Sequence, residues 1–172
     1  MSLVVLLGGA RSGKSQLALR LAERGSAPVV FLATGEALDE EMADRIERHR
    51  QERPAEWTTV EEPLELERAI AGAALDATLV VDCLSLWVSN VIERRPAAEI
   101  EAAGAAAADA AAARPGLTIA VTNEVGLGIV PDNALARSYR DVLGRVNALW
   151  VERAENAYFV AGGRTIELKE LA

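Results

Sequence analysis

Residues 8–15, with the sequence GGARSGKS, constrain the fold of this chain more than any other feature. They follow five apolar residues, 3–7, which are typical of a buried strand, and precede a stretch with the apolar spacing of a helix. Glycines let a backbone turn tightly enough for successive N–H groups to point at phosphate oxygens. The spacing G-x-x-x-x-G-K-S therefore predicts a loop that binds nucleotide phosphates.

Two side chains at the end of this loop have the chemistry that a nucleotide requires. Lys14 can reach the β- and γ-phosphates, and the hydroxyl of Ser15 can ligate Mg²⁺. The N-terminus of the following helix adds partial positive charge. We expect the whole loop to hold nucleotide, through Gly8, Gly9, Ala10, Arg11, Ser12, Gly13, Lys14 and Ser15.

The composition limits the class of protein. With 172 residues, 51% of them hydrophobic and 26% charged, the chain predicts one folded domain over residues 1–172. A net charge of -8 argues against a nucleic-acid partner. Cys83 is the only cysteine, which excludes an internal disulfide and favours a reducing compartment. No apolar run is long enough to span a bilayer, so we expect a cytoplasmic protein without membrane insertion.

Three further apolar stretches, residues 29–34, 78–82 and 117–122, predict buried strands separated by helical patterns. This alternation predicts an α/β fold with a mainly parallel sheet, in which ligands bind at the carboxyl ends of the strands. Thr34 and Asp82 each end one of these strands, so we expect them at the same edge as the phosphate loop. An aspartate at that place either completes a magnesium shell or caps the strand end.

The helix predicted over residues 37–53 carries the only histidine of the chain, His49. Arg45 and Arg53 lie four residues on either side of it and therefore share its face, and Arg50 is its neighbour. A hydrophobic core would exclude such arginines, whereas a triphosphate would bind them. The pattern alone leaves two interpretations open, a core histidine and a group that acts on the nucleotide.

The second half of the chain contains two more segments of interest. Residues 123–131 hold two glycines and several aliphatic residues, which predicts either a wall of the substrate site or a packed connector. A long helix is predicted over residues 133–156. Residues 157–168 then predict a closing β-hairpin around two adjacent glycines.

Taken together, these stretches resemble the bifunctional adenosylcobinamide kinase/adenosylcobinamide-phosphate guanylyltransferase family of cobalamin biosynthesis. The resemblance rests on the phosphate loop, on DEEMADRIERHRQERPAEWTTVEEP from Asp39, on DCLSLWVSN from Asp82 and on TNEVGLGIVPDNALARSYRDVLGRVN from Thr122. It implies a three-layer α/β domain like that of P-loop NTPases, with a mainly parallel sheet and a C-terminal hairpin. Gly163 and Arg164 stand where relatives often have an isoleucine-proline turn, a departure that we expect to touch no catalytic group.

The resemblance also implies two reactions. Adenosylcobinamide would be phosphorylated with ATP or GTP, and GMP would then pass from GTP to the product, giving adenosylcobinamide-GDP and pyrophosphate. The family's guanylylated histidine matches His49, and Lys14 would serve the kinase step. Mg²⁺ would be held by Ser15 and Asp82, although some relatives have glutamate at the latter position. The resemblance further implies homo-oligomers, with a trimer favoured, and nucleotide contacts from Arg50, Arg53, Glu61 and Asp82.

Two other functions remain open at this point. A kinase acting on another small hydroxyl compound would need the phosphate loop but not His49. A nucleotide-binding module without transfer activity would hydrolyse nucleotide at most. From its residues alone, Glu61 has a further interpretation as a solvated surface charge.

Overall fold

A computed structural model describes residues 2–37, 39–51 and 53–170 of the chain. Strands and helices alternate along most of its length. The elements are β1 (Ser2–Gly8), α1 (Lys14–Glu23), β2 (Val29–Ala33), α2 (Glu40–Gln51), β3 (Thr58–Glu61), α3 (Leu66–Gly72), β4 (Thr78–Asp82), α4 (Leu84–Val91), α5 (Ala97–Ala113), β5 (Leu117–Asn123), α6 (Ala134–Arg153), β6 (Asn156–Ala161) and β7 (Arg164–Leu168).

The seven strands form one sheet in the order β3-β2-β4-β5-β1-β6-β7. Every pairing is parallel except that of β7 with β6, which is the predicted C-terminal hairpin. In the register of the sheet, Gly8 pairs with Asn123, and Ala33 pairs with Asp82. The ends of β1, β2, β4 and β5 therefore meet at one edge, which confirms the predicted α/β fold with a mainly parallel sheet.

Helices cover both faces of this sheet and make three layers. Alternate residues of the central strands point to opposite faces, because side chains alternate along a strand. Val5 and Leu7 of β1 belong to the larger core cluster, which includes Trp87 of α4 and residues of α3, α5 and α6. Leu6 points the other way and packs in a second cluster with Ala18 of α1.

The helices differ from their predicted bounds mainly at their ends. Asp39 lies just before α2 and accepts a hydrogen bond from the Met42 N–H at 2.7 Å, so the helix begins later than the predicted residue 37. Asn133 caps α6 in the same way, through the Ala136 N–H at 2.7 Å. The α6 helix ends at Arg153, earlier than predicted, because the chain becomes extended at the next residue and enters β6.

One buried charge contributes to the fold without lying near the nucleotide motif. The guanidinium of Arg114, whose residue is only 3% exposed, donates to the carbonyl oxygens of Ala73, Ala74 and Ala77 at 2.7–3.0 Å. It also donates to the Ile70 carbonyl at 3.4 Å. Burial lowers the pKa of this arginine, and the four carbonyls compensate for the lost water. Arg114, which follows α5, therefore holds the end of α3 and the turn before β4 in place by hydrogen bonds.

We expect Arg114→Met to lower the free energy of unfolding by about 3 kcal/mol, because buried carbonyl oxygens lose their donors while the apolar volume is kept. Urea denaturation followed by circular dichroism measures this loss. Arg24→Met is the matched control at an exposed arginine, and it should stay within about 0.5 kcal/mol of the parent. Equal stability of the two variants would contradict the structural role of Arg114.

Candidate active site

A cleft of about 650 Å³ opens at the carboxyl edge of the sheet, between the phosphate loop and α2. Its volume lies in the range typical of small-molecule sites. Gly8, Gly9 and Thr34 do not line it. The cleft brings together most of the predicted site residues, namely Ala10, Arg11, Ser12, Gly13, Lys14, Ser15, His49, Arg50, Arg53, Glu61 and Asp82.

The phosphate loop folds around the ammonium group of Lys14. This group donates to the carbonyl oxygens of Gly8 at 2.9 Å and Gly9 at 2.7 Å, and to the Ser12 hydroxyl at 3.3 Å. Gly13 adopts a φ of 99° directly before α1, and no side chain of the described residues caps that helix. The N-terminus of α1 therefore follows directly from the phosphate loop, and helix N-termini are places where anions bind.

The C-terminal hairpin supports the loop from behind. A Cβ atom at Gly8 would collide with the Val160 carbonyl oxygen of β6, so only glycine fits there. The N–H of Gly163 donates to the carbonyl oxygen of Ser12 at 2.9 Å. We expected the departure at Gly163 and Arg164 to touch no catalytic group, yet the turn contacts the loop that carries Lys14.

We expect Gly163→Ala to weaken ATP binding about fivefold to tenfold, because alanine is strained at its φ of 74° and the Ser12 contact would shift. Gly162→Ala is the matched control: its φ of 56° is also left-handed, but no hydrogen bond links it to the loop in the described structure. Isothermal titration calorimetry measures the dissociation constants. Equal affinities of the two variants would show that the turn does not position the loop.

Thr34 is fully buried, and its side chain organises the chain after β4 rather than facing the cleft. Its hydroxyl accepts a hydrogen bond from the Cys83 N–H at 2.9 Å and donates to the Cys83 carbonyl at 2.7 Å. The amide of Asn90 donates to the Thr34 carbonyl at 2.7 Å. These contacts fix the backbone next to Asp82. A direct contact between Thr34 and nucleotide stays a prediction.

Asp82 is an acidic group of the cleft that interacts with Lys14 and Ser15 of the phosphate loop. Burial raises the pKa of its carboxyl, while interactions with His49, Ser15, Lys14 and Arg53 lower it. The carboxylate and the Ser15 hydroxyl thus interact with each other at the base of the cleft.

This pair of oxygen ligands suits Mg²⁺, which prefers oxygen and usually keeps several waters. In the described ranges, no group of three or more His, Cys, Asp and Glu side chains could hold a metal ion. Ser15 and Asp82 therefore fit Mg²⁺ when phosphate oxygens and water complete its shell, and they do not form a complete protein cage.

Cys83 follows Asp82 and also borders the cleft. Burial, together with the charge of Asp82, raises the pKa of its thiol to about 11. Its sulfur lies 2.9 Å from the Ser85 hydroxyl. Because the thiolate is the reactive form, Cys83 is not a nucleophile at neutral pH, in agreement with a role in packing.

His49 lies on the last turns of α2, half-buried, where it lines the cleft. Arg53 holds this end of the helix: its Nε donates to the His49 carbonyl at 2.8 Å and one terminal nitrogen donates to the Thr59 hydroxyl at 3.0 Å. Its guanidinium also lies 4.1 Å from the ring centroid of Phe31. Such a contact is a cation–π interaction, and it connects α2 to β2 and β3.

Arg50 also connects α2 to β3. Arg50 forms an ion pair with Glu61 at the end of β3, and both side chains are about half exposed. Exposed pairs of this kind contribute little to stability, so both groups can exchange partners when a ligand arrives. The side chain of Arg45 lies outside what the structure describes.

The cleft also has an apolar part that the sequence motifs do not predict. Phe31, Met42, Ile46 and Leu86 line it beside the charged groups, together with Asn123. Phe31 was predicted only as a strand residue. Its position at the site depends on which face of β2 meets α2, and periodicity along one strand does not contain that information.

A sequence model of the family described as "Cobinamide kinase / cobinamide phosphate guanyltransferase" matches residues 4–168. This chain belongs to that family. It is 41% identical over 166 residues to the "Bifunctional adenosylcobalamin biosynthesis protein CobP" of Pseudomonas aeruginosa, covering 96% of each chain. It is 40% identical over 182 residues to the corresponding CobU protein of Salmonella typhimurium, covering 97% of this chain and 99% of the relative. The chain is therefore an enzyme of the transferase class, as the resemblance implied.

Solved structures confirm the fold at much lower identity. The RadB recombinase superposes with a TM-score of 0.52 at 15% identity, covering 92% of this chain and 73% of that one. The ATP synthase subunit NeqB of Nanoarcheaum equitans gives 0.54 at 10% identity, covering 93% and 45%. These likenesses concern the P-loop NTPase-like fold alone. None of the described helices is long and apolar enough to cross a membrane.

Proposed function

We propose that this protein phosphorylates adenosylcobinamide with ATP or GTP and then transfers GMP from GTP to the resulting phosphate through a guanylyl-His49 intermediate. The observation that carries this proposal is the shared cleft, which Lys14 and His49 both line. A kinase requires the phosphate loop but has no need of a histidine facing it. Family membership supports both reactions, and the names of the relatives describe them as bifunctional.

In the proposed kinase step, the hydroxyl oxygen of adenosylcobinamide attacks the γ-phosphorus of the nucleotide. The bond from that phosphorus to the bridging oxygen breaks, the nucleoside diphosphate leaves with the electron pair, and the hydroxyl proton passes to water. Charge on the phosphates in this loose transition state requires nearby donors. Lys14 and the N-terminus of α1, which both lie at the phosphate loop, are the donors in this proposal.

In the proposed guanylyl step, an imidazole nitrogen of His49 attacks the α-phosphorus of GTP. A P–N bond forms, the bond to the bridging oxygen breaks, and pyrophosphate leaves. A phosphate oxygen of the corrinoid then attacks the same phosphorus, the P–N bond breaks and neutral His49 is restored. Arg50 and Arg53 lie next to His49 in the cleft and can offset the phosphate charge.

We also propose a bound metal ion, an oligomeric state and a cellular compartment for this protein. We propose that Ser15 and Asp82 hold Mg²⁺, which when bound supplies positive charge near the phosphates. A homotrimer is proposed because the family resemblance implies it, and sedimentation equilibrium measures it. A cytoplasmic location is proposed because a chain with one cysteine suits a reducing compartment.

Covalent labelling tests the function directly. The protein is incubated with Mg²⁺ and GTP labelled at the α-phosphate, then denatured, and the bound label is tested for stability. We expect label that is acid-labile and base-stable, as a histidine phosphoramidate is. Absence of label, with γ-phosphate still passing from ATP to adenosylcobinamide, would leave a kinase alone and return His49 to a packing role.

A further inference from the structure

The loop between β5 and α6, residues 124–133, exposes an unusual amount of apolar surface. Leu127 is 81% exposed and Ile129 is 98% exposed. In the part of the chain that the structure describes, nine large hydrophobic side chains are exposed, and five of them lie within residues 125–135. These five are Val125, Leu127, Ile129, Val130 and Leu135. Single exposed apolar residues are ordinary, whereas a cluster of this kind marks a binding surface.

The loop is fixed at both ends, so this surface has a defined place. At its start, Asn123 lines the cleft and the Glu124 N–H donates to the Gly8 carbonyl oxygen at 3.1 Å, beside the phosphate loop. At its end, Asn133 caps α6, and Arg137 donates to two carbonyls of the loop at 2.7 and 3.0 Å. The loop that carries the apolar surface therefore begins at the edge of the cleft, beside the phosphate loop.

The chemistry of the two substrates decides which of them this surface suits. The cleft is lined by charged groups beside an apolar part, and its volume suits one nucleotide, with little room left for a second large molecule. The triphosphate of a nucleotide gains nothing from exposed aliphatic side chains, and residues 125–131 include no charged residue. A corrinoid acceptor is a large macrocycle with methyl-bearing faces, and only its hydroxyl arm has to reach the phosphate.

We propose that the 124–133 loop is the docking surface for the corrin ring, which lies outside the cleft while its hydroxyl arm enters past Asn123. This inference rests on the proposed function and names a substrate surface for it. The alternative is that a second copy of the chain binds to this apolar surface. The corrinoid is favoured because the loop begins at the edge of the cleft that has to receive its arm.

The test is the double variant Leu127→Ser/Ile129→Ser. We expect its KM for adenosylcobinamide in the phosphorylation reaction to rise at least about tenfold, since two apolar contacts are lost. The dissociation constant of ATP, the kcat and the sedimentation coefficient should stay unchanged. Leu75→Ser is the matched control, because Leu75 is 62% exposed but lies between α3 and β4, at the opposite edge of the sheet.

Two results would overturn the proposal. An unchanged KM for adenosylcobinamide would show that the corrin ring binds elsewhere. A changed sedimentation coefficient in the double variant would show that the surface is an interface between copies of the chain. Failure of the proposed function is distinct, because the parent protein itself would then transfer no phosphate to adenosylcobinamide. In that case equilibrium dialysis, followed by the visible absorbance of the corrinoid, still decides whether the loop binds it.

Discussion

Replacing His49 with alanine is expected to abolish covalent labelling by GTP carrying a labelled α-phosphate. Guanylyl transfer to adenosylcobinamide phosphate should fall about a million-fold, the size of loss seen when a catalytic nucleophile is removed. Phosphoryl transfer to adenosylcobinamide should be retained within about tenfold, because the groups around Lys14 do not depend on the imidazole. The two reactions are measured separately, with label at the α-phosphate and at the γ-phosphate.

The matched control for this variant is Arg48→Ala, which changes the neighbouring residue on the exposed side of α2. It should leave both reactions near the parent rates. Because Arg53 holds the backbone carbonyl of His49 and not its ring, the alanine variant should keep the position of α2. Guanylyl transfer that survives in His49→Ala would falsify the nucleophile assignment, whatever happens to the kinase rate.

The distinct roles of Lys14 and His49 depend on how α2 is placed relative to the phosphate loop. The sequence alone predicts only part of this placement. The glycine and lysine spacing of residues 8–15 predicted the loop because its chemistry is local. The rule that ligands bind at the carboxyl ends of parallel strands placed Asp82 at the same edge. For His49, helical periodicity indicated an inward face but not whether a core or a cleft lies opposite it.

The contacts that escaped prediction join residues that are far apart in the chain. Thr34 bonds to Cys83 across 49 positions, so its hydroxyl serves the backbone beside Asp82 in a way that strand patterning cannot reveal. Arg114 directly follows α5, yet its guanidinium donates to carbonyl oxygens of residues 37–44 positions earlier in the chain. A turn in the last hairpin supports the first loop of the chain. Such contacts depend on the tertiary arrangement, which local propensity does not determine.

Replacing Lys14 with alanine is expected to remove the kinase reaction while the protein stays folded. The ammonium group of Lys14 lies inside the phosphate loop, where it donates hydrogen bonds to the loop carbonyls. Among the described residues, no other positively charged side chain is held there in this way. In the proposed kinase step its loss removes a donor to the transferred phosphate, and losses of this kind lower kcat about a hundredfold to a thousandfold. Transfer of γ-phosphate from ATP to adenosylcobinamide measures the effect, and circular dichroism checks the fold.

Lys169→Ala provides the control, since Lys169 is the other lysine of the chain and its side chain is 75% exposed near the C-terminus. Its kcat should equal that of the parent. A Lys14→Ala variant that keeps more than about a tenth of the parent kcat would contradict the role of the loop, because uniform binding contacts alone would raise KM and leave kcat unchanged. A loss confined to kcat would instead show that Lys14 acts on the charge that develops as the γ-phosphate leaves its bridging oxygen.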